Sequence, residues 1–520
     1  MFMTKKFKSA ISILLLLALI FSLVACGKPS AKTFEKAYDG EVDAIVENIY
    51  DYYEKLGKYD TSNFSMDGSI GFELSDELLT LLRSYTSYDL EWINDTKITL
   101  SENIKGDMMS VAFGLAYDKT DLVAVETIMD YLGGKMFMGV PALSDMYYEQ
   151  ELNGGNSLAS LDNIDIQKLL PDKKLVGNLI KDTYGTLMDS LGEPTISEKT
   201  LSVSGVDQEC VEYKVELSQR EFANVILDLL RMLKDNQDLK TIILHVVEAA
   251  NEMTAEEGIE NETTPEEAYG EFLEEINDAI ADLEEDLQKE GYVTDETAIA
   301  WSSYITKKND VIGIKLDFMD DETVTVYVAS AKNKENVGFE FYVEIYGEKI
   351  AELKGELVDD GKTHSGSYEL KIEGKSMAFI DVECVDAKKL EDGYFIGSVT
   401  LSPSKGLIDE ITGELDGDFS LAGLTVASLS VKIDITENTS DGAKMSVSLM
   451  NGQSSYASLL IDFKMSDGKT VKVPENTTTD AEEVVMDFDF DELLTRVKGS
   501  GLPDYVAELI EAYAGMLQYQ

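Results

Sequence analysis

The sequence predicts an α+β fold in which long antiparallel strands meander into curved sheets packed on helices. Three observations carry that expectation. Large residues alternate with small or polar ones over many runs of roughly eight to twelve residues, the period of a strand with one packed face. Glycine pairs that favour tight hairpins separate the runs: Asp360-Gly361, Glu373-Gly374, Asp392-Gly393, Asp441-Gly442 and Asp467-Gly468. Around these runs, apolar residues recur at helical spacing behind capping signals.

The elements follow in order. A helix is expected over 34–56, where Val42, Ile45, Val46, Ile49, Tyr52, Tyr53 and Leu56 form one stripe and Gly40 weakens the first part. A strand over 64–74 and a short helix over 76–85 come next. A sheet begins near Leu90. In it Met109, Val111, Phe113, Leu115 and Tyr117 alternate with Ser110, Ala112, Gly114 and Ala116. Asp118 to Asp121 turn the chain into a returning strand over 122–129, and Gly133-Gly134 turn it again into 135–140. A helical stretch over 157–191 is interrupted at Pro171. Strands over 199–204 and 209–217 join at Gly205-Val206-Asp207. Ser218 and Glu221 form a capping box for a helix running to Lys234.

Thr241 to Gln288 holds 16 acidic residues and neither Lys nor Arg. Its part over 248–264 reads as a solvated acidic linker. Thr264-Pro265 then opens a helix with Phe272, Ile276, Ala279, Ile280, Leu283 and Leu287 on one face. The second half is a long meander. Ile312, Ile314, Leu316 and Phe318 alternate with polar or small residues, as do Phe339, Phe341, Val343 and Ile345, and later Leu429, Val431, Ile433 and Ile435. Helices return after Asp489 and after Pro503.

At about 150 residues per domain, two to four domains are expected. The division predicted is 1–25 as a secretory segment and 26–33 as a tether. An N-terminal α+β domain follows over 34–247, then the acidic linker over 248–264. A helix with a large antiparallel sheet takes 265–475, and C-terminal linker and helices take 476–520. Both halves mix helices with an antiparallel sheet, which suggests two related halves.

Composition narrows the function. The hydrophobic fraction is 44%, enough for a sizeable core. The formal net charge is −55. Phosphate backbones repel such a polyanion, which excludes nucleic acid as a partner. Anionic headgroups repel it too, so the body stands off a membrane surface. The charge fits a basic protein or a cation as partner, and it fits solubility alone. Cys210 and Cys384 lie in strand-like runs and read as buried thiols, with their pairing left open.

The N-terminus gives an address. Lys5, Lys6 and Lys8 precede an apolar run from Ile11 to Val24, which is short for a permanent span. Leu23-Val24-Ala25-Cys26 resembles the lipobox of bacterial lipoproteins. That resemblance implies cleavage before Cys26, a diacylglycerol thioether on Cys26, and a protein anchored on the outer face of the bacterial cytoplasmic membrane. Two acyl chains suffice for stable anchoring. The other reading is an ordinary secretory signal.

Chemistry is sparse. The two histidines, His245 and His364, sit on an apolar helical run and in a turn, with no nucleophile pattern beside them. Cys and His are too scattered for a zinc site. Asp487, Asp489 and Asp491 alternate with Phe488 and Phe490, which suits a strand edge entering a helix cap better than a calcium loop. No P-loop or dinucleotide fingerprint is present. No catalytic residue, metal or cofactor is therefore expected.

What remains is architecture. The phrase from Lys135 to Tyr148, a strand ending in Val140-Pro141-Ala142-Leu143 after several long antiparallel strands, resembles LolA/LppX-like bacterial lipoproteins. The likeness covers about residues 60–220 and, more loosely, 300–465. It implies a curved sheet wrapped on helices around a lipid-sized apolar cavity, and a non-enzymatic function of binding a lipid or other apolar ligand. Phe113, Met136, Met138, Phe339 and Phe341 are the expected lining residues. Met108, Met109 and Met146 add soft, adaptable surface. The alternatives are an interaction lipoprotein with a solid core and an acidic surface, a solute receptor, and a hydrolase. The meander disfavours the receptor, which would need βαβ alternation.

Overall fold

The computed structural model describes residues 38–39, 42–50, 53, 63–152, 170–256, 263–289, 291, 293–319, 323–408, 420–421, 424–425 and 429–517. Cys26 with its lipobox, the tether over 26–33, the ends of the 34–56 helix and the 157–169 part of the next helical stretch lie outside these residues. The fold is α+β, with curved, unclosed, antiparallel-rich sheet.

In chain order the strands are β1 (Asn63–Leu74), β2 (Thr96–Lys105), β3 (Met108–Tyr117), β4 (Thr120–Asp130), β5 (Lys135–Gly139) and β6 (Tyr147–Glu151). There follow β7 (Thr195–Val203), β8 (Val206–Ser218), β9 (Thr297–Ile305), β10 (Val311–Met319), β11 (Thr323–Asn333), β12 (Asn336–Ile345) and β13 (Glu348–Asp359). The last are β14 (Thr363–Ile372), β15 (Lys375–Asp386), β16 (Gly397–Pro403), β17 (Ser420–Leu421), β18 (Leu424–Thr425), β19 (Leu429–Thr439), β20 (Gly442–Asn451), β21 (Ser454–Ser466) and β22 (Thr477–Thr478). Leu90 opens a 3-10 turn over Glu91–Asp95 rather than a strand, so the second strand starts later than its sequence suggests.

The chain divides into two compact units. The first takes Ile166–Gly361 and Ser365–Phe379 together with the helix at 42–50. Its strands β7 to β13 pair antiparallel in sequence order. Strict alternation puts Val211, Tyr213, Val215 and Leu217 of β8 on one face, beside Ile299 and Trp301 of β9. Helices cover that face: Tyr38, Val42, Tyr184, Leu187, Phe222 and Val225 bury against it. The Tyr38 hydroxyl and the Ser303 Oγ lie 2.6 Å apart in this core, and the Tyr38 ring meets Trp301 edge-on.

Helix starts in this unit follow the sequence closely. Ser218 with Glu221, and Thr264 with Glu267, both form complete capping boxes, and Pro265 occupies the first turn. The stretch over 248–264 departs from the expected linker. Its residues to Glu256 continue a helix, Gln237–Glu256, that packs on the helix Pro265–Gln288 inside the same unit. Ala249 is buried there, so the apolar stripe outweighs the acidic composition. Residues 257–262 lie outside the described set.

On the opposite face, the tip of the β7–β8 hairpin folds onto β11 and β12. Leu201, Val203 and Val206 bury against Tyr327, Ala329 and Ala331. The Ser204 hydroxyl donates to the Phe339 carbonyl at 2.9 Å. Gly338 is required at this crossing, because a Cβ there would stand 2.0 Å from the Val203 carbonyl oxygen.

The second unit takes Tyr59–Asp165, Lys362–His364 and Ile380–Gln520. Its strand order is β16-β19-β20-β21-β1-β2-β3-β4-β5-β6-β22. All these pairs are antiparallel except β6 with β22. Strand β1 thus sits between a neighbour in sequence, β2, and a strand from near the other end of the chain, β21.

A strap over 467–476 carries the chain from β21 to β22. Asn103 holds it through reciprocal bonds with the Lys469 backbone, at 2.6 and 2.8 Å. Val471 packs onto Ile128, Phe137 and Tyr147 beneath it. At one end of the strands the helices Phe490–Ser500 and Asp504–Leu517 bury Leu122 and Val497, and the Trp92 indole donates to the Tyr505 hydroxyl at 2.7 Å.

Candidate ligand-binding face

The second unit presents one apolar sheet face assembled from both ends of its chain. Side chains alternate across a strand, so residues that are register partners share a face. Gly397, Ile435, Met445, Ile461, Ile70, Ile98, Leu115 and Val123 form one continuous row of register partners from β16 to β4. At ~4.8 Å per strand, that row extends about 34 Å. Parallel to it run Phe463, Gly68, Leu100, Phe113 and Val125. Ile104, Met109, Met129 and Met136 form another row, in which the Tyr131 hydroxyl donates to the Met109 sulfur at 3.1 Å.

This face is left largely open. Phe113 is 60% exposed, Val125 48%, Ile98 41% and Met138 38%. Leu401, Val431, Ile433 and Leu449 on the β16, β19 and β20 side are exposed as well. A contiguous apolar patch of this breadth is uncommon on a protein surface. On β16 and β19 to β21 the opposite face is polar: Ser448 and Ser458 pair at 2.8 Å, and Ser398 donates to Asp434 at 2.6 Å.

Of the residues expected to line a ligand site, Phe113, Met136 and Met138 come together on this apolar face. Phe339 and Phe341 belong to the first unit. They are register partners of Ser330 and Val328, on the face that carries Ile314 and Trp301. Both are half-buried, and Phe339 meets Tyr368 edge-on at 6.1 Å. The large residues of β3 pack less than their alternation predicts. Phe113 and Leu115 are exposed while Ala116, on the other face, is buried, because helices of this unit gather at the strand ends.

A second, polar feature escaped the sequence reading. In the first unit an open cleft of about 500 Å³ is lined by Lys199, Glu212, Lys214, Ser302, Tyr304, Lys315, Asp317, Tyr327, Glu340, Tyr342 and Lys349. Tyr327 stacks on Tyr342 at 4.7 Å and meets Tyr304 edge-on. The Lys349 ammonium lies 4.1 Å from the Tyr342 ring centre, a cation–π contact. Burial, then the nearby Glu212 carboxylate, pushes the Tyr304 hydroxyl up. Burial pushes the Glu212 carboxyl up, but the Lys199 ammonium at 2.7 Å together with hydrogen bonds from Ser197 and Tyr304 outweighs it and holds that group below its ordinary value. The lysines here are tied into ion pairs, Lys315 with Asp317 along β10 and Lys349 with Glu340 across β13 and β12. The arrangement is a satisfied polar sheet face.

The His245 ring nitrogen donates to the Leu170 carbonyl at 3.1 Å. His364 lies in β14 instead of the expected turn. Asp489 caps the helix Phe490–Ser500, as its sequence suggests, and Asp487 accepts from the Ser144 hydroxyl at 2.7 Å. Cys210 is buried, and burial pushes its thiol up. Cys384 departs from expectation and is exposed, because a left-handed backbone, φ 52°, breaks the alternation of β15. Among the described residues, no group of three or more His, Cys, Asp or Glu is placed to hold a metal ion. Comparison with protein-family models, curated proteins and solved structures finds no match.

Proposed function

We propose that this protein is a non-enzymatic lipoprotein, anchored through Cys26 on the outer face of the bacterial cytoplasmic membrane, that binds a lipid or other apolar molecule. The single observation that supports this reading is the open apolar face of the second unit. Its rows offer contact area and almost no hydrogen-bonding groups, which suits acyl chains better than a polar solute. The row through Ile70 and Ile98 is long enough to lay an extended chain along the sheet. Flexible methionines at one end let the surface adapt to chains of different shape. The lipobox resemblance supports a location beside a supply of such molecules. Among the described residues no helix is long and apolar enough to cross a membrane.

The test is native mass spectrometry with lipid extraction on the chain from residue 26 carrying Cys26→Ser. The reading expects a discrete co-purified mass of lipid size that is lost in Phe113→Asp. A clean apo mass that does not shift when mixed membrane lipids are added contradicts it. That outcome favours an interaction lipoprotein whose acidic surface recruits a basic partner.

A further inference from the structure

We infer that Glu102 is the head-group anchor of the apolar face, and that the ligand is an amphiphile carrying a protonated amine. The inference rests on the reading just proposed and specifies the chemistry of its ligand. Glu102 lies in β2 on the same face as Leu100 and Ile104, the residues two positions to either side. Its register partners are Met66 in β1 and Val111 in β3. All of its nearest neighbours on the face are therefore apolar. Among the described residues its carboxylate forms no hydrogen bond or ion pair, although other carboxylates of this unit find partners, as Asp67 does with Lys469 and Glu149 with Lys135.

A carboxylate at this point weakens the sheet face it interrupts. Any of the neighbouring residue types would serve the face better, and an unpaired charge beside apolar surface loses hydration without compensation. Residues that break the local pattern without a compensating partner mark functional sites. The partner that restores balance is a cation delivered by a molecule whose other end is apolar. Glu102 is half-buried, flanked on one side by the Met66 and Met465 row and on the other by Val111, Thr127 and Met138. An acyl chain lying over those rows places its head at Glu102.

Isothermal titration with two single-chain probes of equal length tests this. The probes are dodecylammonium and dodecyl maltoside, each below its micelle concentration and at physiological ionic strength. The chain from residue 26 with Cys26→Ser is expected to bind dodecylammonium about tenfold more tightly than the maltoside, the size of one charged hydrogen-bonded pair. Glu102→Gln should abolish that preference and leave maltoside affinity unchanged, which also certifies its fold. Glu73→Gln, an exposed carboxylate on the opposite face of β1, should keep the preference. A preference that survives Glu102→Gln overturns the inference and assigns the selectivity to general acidity. Loss of both probes in Glu102→Gln overturns it too, since the residue then acts on the fold. Failure of the starting chain to bind either probe overturns the apolar-face reading itself.

Discussion

Ile70 and Ile461 are register partners in adjacent antiparallel strands, although one comes from β1, the first strand among the described residues, and the other from β21, more than 380 positions later. Their pairing joins β1–β6 to β16 and β19–β21, and it places the apolar rows of both segments on one face. The full apolar face therefore exists only once the C-terminal strands have been added. Glycine at Gly68, between Phe463 and Leu100, keeps the centre of that junction shallow.

Charge on the central row should remove ligand without unfolding the protein. Ile98 is 41% exposed, so Ile98→Asp is expected to cost less than about 1 kcal/mol of stability. It should weaken apolar ligand binding by more than about tenfold, since a desolvated carboxylate opposes an acyl chain. Thermal unfolding read beside titration with dodecyl maltoside separates the two effects. A large loss of stability with unchanged binding would contradict the assignment of this face.

The first unit should respond to Gly338 far more strongly than to surface glycines. Gly338→Ala forces a Cβ against the Val203 carbonyl, and the hairpin tip must move. A cost of about 3 kcal/mol or more is expected from overpacking against backbone. Gly347→Ala, in an open turn with positive φ, should cost only about 1 kcal/mol. Chemical denaturation of the two variants gives the comparison, and equal costs would contradict the hairpin-on-sheet crossing.

The buried contact between Tyr38 and Ser303 gives a third expectation. Tyr38→Phe leaves the fully buried Ser303 hydroxyl without that partner. A loss of about 1–2 kcal/mol is expected. Tyr38→Phe paired with Ser303→Ala should recover part of it, which a double-mutant cycle reads directly.

Acid should reveal Glu212. Its carboxyl is held below the ordinary value of 4.5, where Lys199, Ser197 and Tyr304 together outweigh burial. A group with a depressed folded value contributes stability that is present above 4.5 and is lost as pH falls through the folded value. The stability difference between the wild type and Glu212→Gln should therefore shrink below pH 4.5. The tyrosines of the same cleft have the opposite sign. Tyr304 and Tyr327 are pushed up from 10, chiefly by burial, so their contribution is complete below pH 10 and declines above it. Unfolding curves across both windows, for wild type and variant, check each sign.

Local structure was readable where one strand or one helix carried its own pattern. The alternation of Met109 to Tyr117 marked β3, and Ser218 with Glu221 marked a helix start. Phe113, Met136 and Met138 could be grouped on one apolar face because they lie close in sequence, on β3 and β5 of one meander. Their counterparts Ile70, Ile435 and Ile461 could not, because only the non-sequential strand order brings them into the row. Glu102 looked like any polar residue of an alternating strand until its four apolar neighbours were placed around it. The tyrosine cleft was hidden for the same reason: Tyr304, Tyr327 and Tyr342 come from three strands. Composition misled at 248–256, where an acidic segment that buries Ala249 is helical.

The most direct measurement is photolabelling of the chain from residue 26, carrying Cys26→Ser, with a diazirine-bearing fatty amine, followed by peptide mapping. The account predicts crosslinks on β1 to β4 and β19 to β21, centred on the row through Ile461, Ile70, Ile98 and Leu115 and competed by unlabelled lipid. Labelling confined to the helices of the first unit, or spread without competition over the surface, would contradict it.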